Sequence, residues 1–144
     1  MDDVDAVVMV PNCPVCHQSV AIAAHCLESA GIATVIMGCA RDITEYVGVP
    51  RLLFSDLPLG NAAGLPHDPD SQNLVTQLAV VLLAEAPAPR TTRQSPLIWS
   101  GAPDWKKDYS NAALLSAEEI AERRAEFDRV KAAAAAIKSA SKTD

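Results

Sequence analysis

The sequence predicts an α/β fold: a three-layer Rossmann-like domain with a small, mainly parallel sheet, followed by a long C-terminal helix. Three observations predict it. Short apolar runs recur at residues 6–10, 34–37 and 52–54, the first two with β-branched residues, a helical stretch separates each run from the next, and the last quarter of the chain holds a helical pattern with its own cap. Strand, helix, strand is the order of a parallel unit, whose crossover is expected to be right-handed.

Ala6, Val7, Val8, Met9 and Val10 form a continuous apolar run stopped by Pro11, which reads as a strand buried on both faces. Residues 16–30 form a helix with Val20, Ala23, Ala24 and Leu27 on one face, and Gly31 ends it. The run 34–37 is a second buried strand ending at Gly38, residues 41–47 a short helix, and 52–54 a third strand opened by Pro50 and closed by Ser55 and Asp56. Glycine and proline are too dense in 57–70 for regular structure, so this is a long loop, a candidate lid or binding loop, leading into a helix over 71–85.

The segment 87–111, with Pro87, Pro89, Pro96 and Pro103, wraps the outside, and its Leu97, Ile98 and Trp99 form an edge strand or dock on a partner. Ser116 with Glu119 makes a capping box, and Leu115 staples Ile120, for a helix running to about residue 138 before a frayed tail from Ser139. Its stripe of Ile120, Phe127, Val130, Ala134 and Ile137 lies on the domain or mediates homo-oligomer formation. The domain reading is residues 1–111 for the α/β body, with the wrapping segment from about 87, and 112–144 for the helix and tail.

In 144 residues, 49% are hydrophobic, 21% are charged, and the net charge is −6. That is an ordinary globular composition, and its acidity excludes nucleic acid as a partner. An acidic start, Met1-Asp2-Asp3-Val4-Asp5, is unlike an export signal. The apolar stretch 74–84 is too short to cross a bilayer, so no membrane partner and a cytoplasmic location are expected. Four cysteines in a reducing compartment point to redox, metal or packing roles rather than a fixed disulfide framework.

In a parallel sheet, reactive groups gather beyond the carboxyl ends of the strands. Those ends place Cys13, Cys16 and His17 after the first strand, Gly38, Cys39, Arg41 and Asp42 after the second, and Asp56 after the third, all on one rim. A helix N-terminus beside Cys13-Pro14-Val15-Cys16 favours thiolate over thiol. Cys13 then reads as the attacking sulfur and Cys16 as the resolving one. His17 is a proton shuttle or lowers a thiol pKa, or else sits idle on the helix surface.

Cys39 is a third thiol or a small filler, and Arg41 either binds a carboxylate or stabilises a helix start. Asp56 and His67 are further substrate-binding candidates, with Gly60 and Asn61 of the loop. Cys26 reads as core and His25 as surface or a satisfied partial burial. No cofactor is expected. Three rivals use the same residues: c-type haem attachment by Cys13, Cys16 and His17, zinc held by Cys13, Cys16, Cys39 and either His17 or His67, and a thioredoxin or glutaredoxin fold with its proline at Val49-Pro50.

Cys13-x-x-Cys16, followed by Ala30-Gly31-Ile32-Ala33-Thr34-Val35, Val49-Pro50-Arg51 and Leu57-Pro58-Leu59-Gly60-Asn61, resembles the carboxyl-terminal region of the glycine/sarcosine/betaine and D-proline reductase selenoprotein B family over roughly residues 4 to 85. The resemblance implies thiol-dependent reductive cleavage, in that family begun by a selenocysteine. That position falls on Val10, so selenol chemistry is absent, and what carries over is the dithiol and the neighbouring loop. The resulting expectation is a thiol/disulfide oxidoreductase or thiol-dependent small-molecule reductase with a disulfide or small-molecule substrate and a thiol electron donor. The alternative is a zinc-binding or redox-sensing module without catalysis.

Overall fold

The computed structural model describes residues 4–99, 106 and 112–140. The chain divides into two compact units, Met1–Pro103 and Asp104–Asp144. In chain order the first contains β1 (Ala6–Met9), α1 (Pro14–Ser29), β2 (Ala33–Gly38), α2 (Arg41–Val47), β3 (Arg51–Phe54), α3 (Pro69–Glu85) and β4 (Thr91–Gln94). The strands form one sheet in the order β1-β2-β3-β4, and every neighbouring pair is parallel.

Alternation along β2 and β3 builds the layers. Ile36 pairs with Leu52, and both pack with Ala21 and Ala24 of α1 and with Val49. On the opposite face Val35, Met37 and Leu53 meet Val75, Ala79 and Leu82 of α3. Each of these larger aliphatic side chains contributes roughly 1.5–3 kcal/mol by leaving water. Helices thus cover both faces, yet strand order advances in one direction throughout. The connection through α3 therefore has the opposite hand to the one through α1, and the irregular stretch between β3 and α3 carries the chain from one face to the other.

The structure corrects several sequence expectations. β1 is not buried on both faces: it is an edge strand, α3 lies over β2 and β3, and Val4, Val8 and Val10 are 41–49% exposed. α1 begins two residues early, with Pro14 in its first turn, where a missing N–H costs nothing. Its inward positions are His17, Ala21 and Ala24, while Ala23 is exposed. Cys26, expected in the core, falls on the exposed face of this frame. The same first-turn proline logic starts α3 at Pro69, capped by the Asp68 carboxylate accepting from the Ser71 amide at 3.3 Å.

The edge strand expected at 97–99 is instead β4, where Thr91 and Thr92 supply the β-branched residues, and Leu97 packs against the α3 core. Of the wrapping segment, residues 100–105 and 107–111 lie outside the described residues. At its far end α1 is clamped to the sheet: Glu28 Oε1 accepts from the Thr34 amide (2.6 Å), the Thr34 hydroxyl (2.8 Å) and Arg51 Nη1 (2.8 Å).

The second unit holds a short 3-10 turn, Ala112–Leu114, and α4 (Ala117–Ala140). Its capping box is formed as the sequence implies, with Ser116 Oγ accepting from the Glu119 amide (3.2 Å) and Glu119 Oε2 accepting from the Ser116 amide (2.8 Å). Ile120, Phe127 and Val130 are exposed. Among the described residues no helix is long and apolar enough to cross a membrane.

Candidate functional site

Parallel pairing brings the carboxyl ends of the strands to one rim, and the turn after β1 places Cys13 as the N-cap of α1 in extended geometry (φ −128°, ψ 165°). Its Sγ accepts the Cys16 N–H at 3.1 Å, the position a serine or aspartate oxygen fills in ordinary caps. Cys13 and Cys16 are joined in a disulfide with their Cα atoms 4.9 Å apart, and both are only partly buried. The dithiol is thus at the surface, at a helix N-terminus, with its sulfurs within bonding reach.

His17 is fully buried rather than on the helix surface. Its Nδ1 lies 2.7 Å from the Cys13 carbonyl oxygen, and its Nε2 lies 3.1 Å from the Cys39 amide and 3.2 Å from the Ala40 amide. A carbonyl only accepts and an amide only donates, so the proton belongs on Nδ1 and Nε2 is the acceptor. Both nitrogens are committed to backbone. Gly38 makes room for the ring, since a Cβ there would stand 3.2 Å from His17 Cδ2.

Cys39 is a free, partly buried thiol. Burial pushes it up to about 11. The backbone amides of Leu57 and Asn61 at its sulfur pull the other way, and the negative charge of Asp56 adds to the rise. At neutral pH it keeps its proton. The loop that supplies those amides is packed rather than open: Leu57, Pro58, Ala62 and Gly64 are buried, and Ser71 Oγ accepts from the Leu65 amide at 2.9 Å. Gly60 and Asn61 line a hollow of about 430 Å³ with Gly64, Leu65, Gln72 and Thr76.

Cys13, Cys16, His17, Cys39, Asp56 and Asn61 therefore form a connected group, whereas two other candidates are placed differently. Arg41 pairs with Glu45 at 2.8 Å and lies 5.9 Å over the Phe54 ring. The Thr92 hydroxyl, and then Arg41, hold the Glu45 carboxyl below its usual range. His67 is exposed in a left-handed turn (φ 58°) next to the Asp68 cap. The zinc set does not assemble: Cys13 and Cys16 bond each other, His17 has both nitrogens engaged, and among the described residues no group of three or more His, Cys, Asp or Glu side chains gathers to hold a metal. Haem ligation meets the same obstacle at His17.

Sequence reasoning missed Gly38 as the seat of the imidazole and the amides of Ala40 and Leu57 as site groups. Backbone donors leave no mark on residue identity. A glycine closing an otherwise apolar strand was the one available signal.

A parallel α/β sheet with a Cys-x-x-Cys bridge at a helix start defines a class of thiol-bearing α/β domains. A curated relative narrows it. The chain is 30% identical over 87 residues to the D-proline reductase subunit gamma of Acetoanaerobium sticklandii, a match covering 60% of this chain and 36% of that one. This supports a distant relationship to the reductase family, and the match spans little more than a third of the relative's length. No family model matches the chain, and no solved structure matches it.

Proposed function

We propose that this protein is a thiol/disulfide oxidoreductase or thiol-dependent small-molecule reductase acting through Cys13 and Cys16. The observation that carries the reading is the partly exposed Cys13–Cys16 bridge with Sγ of Cys13 on the Cys16 amide. That amide and the α1 dipole stabilise a thiolate on Cys13 once the bridge is reduced. The thiolate attacks one sulfur of a substrate disulfide and expels the other as a thiolate. Cys16 then attacks the Cys13 sulfur, closing the bridge and releasing the second substrate thiolate. Two electrons pass to the substrate, and an external thiol donor returns them.

The relative's printed name, a subunit of D-proline reductase, supports the reductase side of this reading. Val10, at the position of the family's selenocysteine, has no nucleophile, so the dithiol is the reacting group. The hollow lined by Gly60 and Asn61 is the proposed seat of a small substrate, in a cytoplasmic protein. Thiol alkylation of the reduced protein against pH tests the proposal, in wild type, Cys13→Ser and Cys16→Ser. The expected result is one accessible thiol ionising below the ordinary cysteine range and lost in Cys13→Ser. Alkylation that is unchanged in Cys13→Ser overturns it.

A further inference from the structure

The dithiol reading does not use His17, although this residue has the most constrained side chain near the sulfurs. The Cys13 carbonyl oxygen receives two donors from His17, its backbone N–H at 3.0 Å and its ring Nδ1–H at 2.7 Å. The other edge of the ring is pinned by the Cys39 and Ala40 amides, and Gly38 lies against it. Ala40 opens α2 without a side-chain cap. One imidazole from α1 thus caps α2 and fixes the peptide group of Cys13.

We propose that His17 is a positioning residue that keeps the reduced Cys13 sulfur at the Cys16 amide, and that it carries no proton in the thiol chemistry. The proposal rests on the dithiol reading above. While the bridge is closed, the S–S bond holds Cys13 in place. Once it opens, the Cys13 side chain keeps only the Cys16 amide at its sulfur, and the ring Nδ1–H joins the His17 backbone N–H in holding the Cys13 carbonyl, and with it ψ, in the capping geometry. Stabilising the thiolate favours the reduced form, so loss of the tie shifts the exchange equilibrium toward the disulfide. A proton carrier needs a nitrogen free to change partners, and here each one is bonded to backbone in a fully buried ring.

Two conservative variants separate positioning from proton transfer. In His17→Asn the amide nitrogen stands where Nδ1 stands and keeps the donor to Cys13. In His17→Gln the polar end stands at the level of Nε2, keeps the α2 cap and loses that donor. Equilibration with reduced and oxidised glutathione is expected to leave His17→Asn within about twofold of wild type. His17→Gln is expected to move toward the disulfide by up to about tenfold, the worth of the Cys16 N–H bond to the thiolate that a misplaced Cys13 loses.

Equal equilibria in both variants with equally slowed exchange would indicate proton transfer and overturn the proposal, as would wild-type behaviour in both. If either variant fails to fold, nitrogen NMR of the wild-type imidazole decides instead: a neutral ring protonated on Nδ1 in both redox forms is expected, and a proton on Nε2 in either form refutes it. Failure of the dithiol reading itself shows separately, as wild-type protein that does not exchange with glutathione.

Discussion

The two ends of α1 are built from opposite materials. At its start the Cys13 sulfur accepts from the Cys16 amide, and one imidazole joins the Cys13 carbonyl to the Cys39 amide. At its end Glu28 gathers a guanidinium, a hydroxyl and an amide around one carboxylate oxygen. The Glu28–Arg51 pair is about three-quarters buried, with side chains 26% and 22% exposed, so its bonds are screened less than those of a surface pair. The difference teaches a division of labour: charge anchors the far end of the helix, and uncharged donors shape the end where the proposed chemistry changes a sulfur's charge.

The comparison is broken most completely by removing a sulfur. Cys13→Ser and Cys16→Ser are each expected to abolish turnover with a disulfide substrate, as followed by thiol release, while leaving the thermal transition nearly in place. At the opposite end, Glu28→Ala is expected to destabilise by about 2–3 kcal/mol, since it strands the Arg51 guanidinium and the Thr34 donors together. Denaturant titration checks it, and Cys13 reactivity under native conditions should stay unchanged if the two ends are independent.

Gly38→Ala joins structure to site, because the new Cβ presses on the His17 ring. A loss of about 1–2 kcal/mol is expected, together with a shifted glutathione equilibrium that Glu28→Ala lacks. The smallest effect concerns Cys39. Its folded-state value of about 11 lies above the ordinary 9.0, so the folded chain holds this proton more tightly than the unfolded chain. The stabilisation is whole below about 9 and is lost as pH rises toward about 11. Urea midpoints followed across that window should fall more steeply in wild type than in Cys39→Ala.

Much of this arrangement is legible in the sequence. The continuous apolar runs gave three of the four strands, and Pro11 and Gly38 marked strand limits, as Gly31 did the end of the first helix, because proline and glycine act locally. The rim followed from parallel order alone; on it Cys13 and Cys16 are bonded, and the His17 ring joins the Cys13 carbonyl to the Cys39 amide. What escaped depended on tertiary choices. β4 reads Thr-Thr-Arg-Gln, too polar to announce a strand, and pairs because β3 offers an open edge. Cys26 looks like core until the phase of α1 is known, and that phase puts inward a histidine, a residue type that a sequence reading leaves on the surface as readily as in the core. His17 could not be assigned a role without the carbonyl and amides that meet it.

The bare outer face of β1 has a consequence for how the molecule breathes. The turn carrying Cys13 and Cys16 hangs between a strand sheltered on one side only and a helix anchored at its distant end by charge. Amide protons of Val7 to Met9 should therefore exchange with solvent ahead of those in β2, and a fluctuation that peels this strand away releases the sulfurs on their upstream side while the helix stays seated.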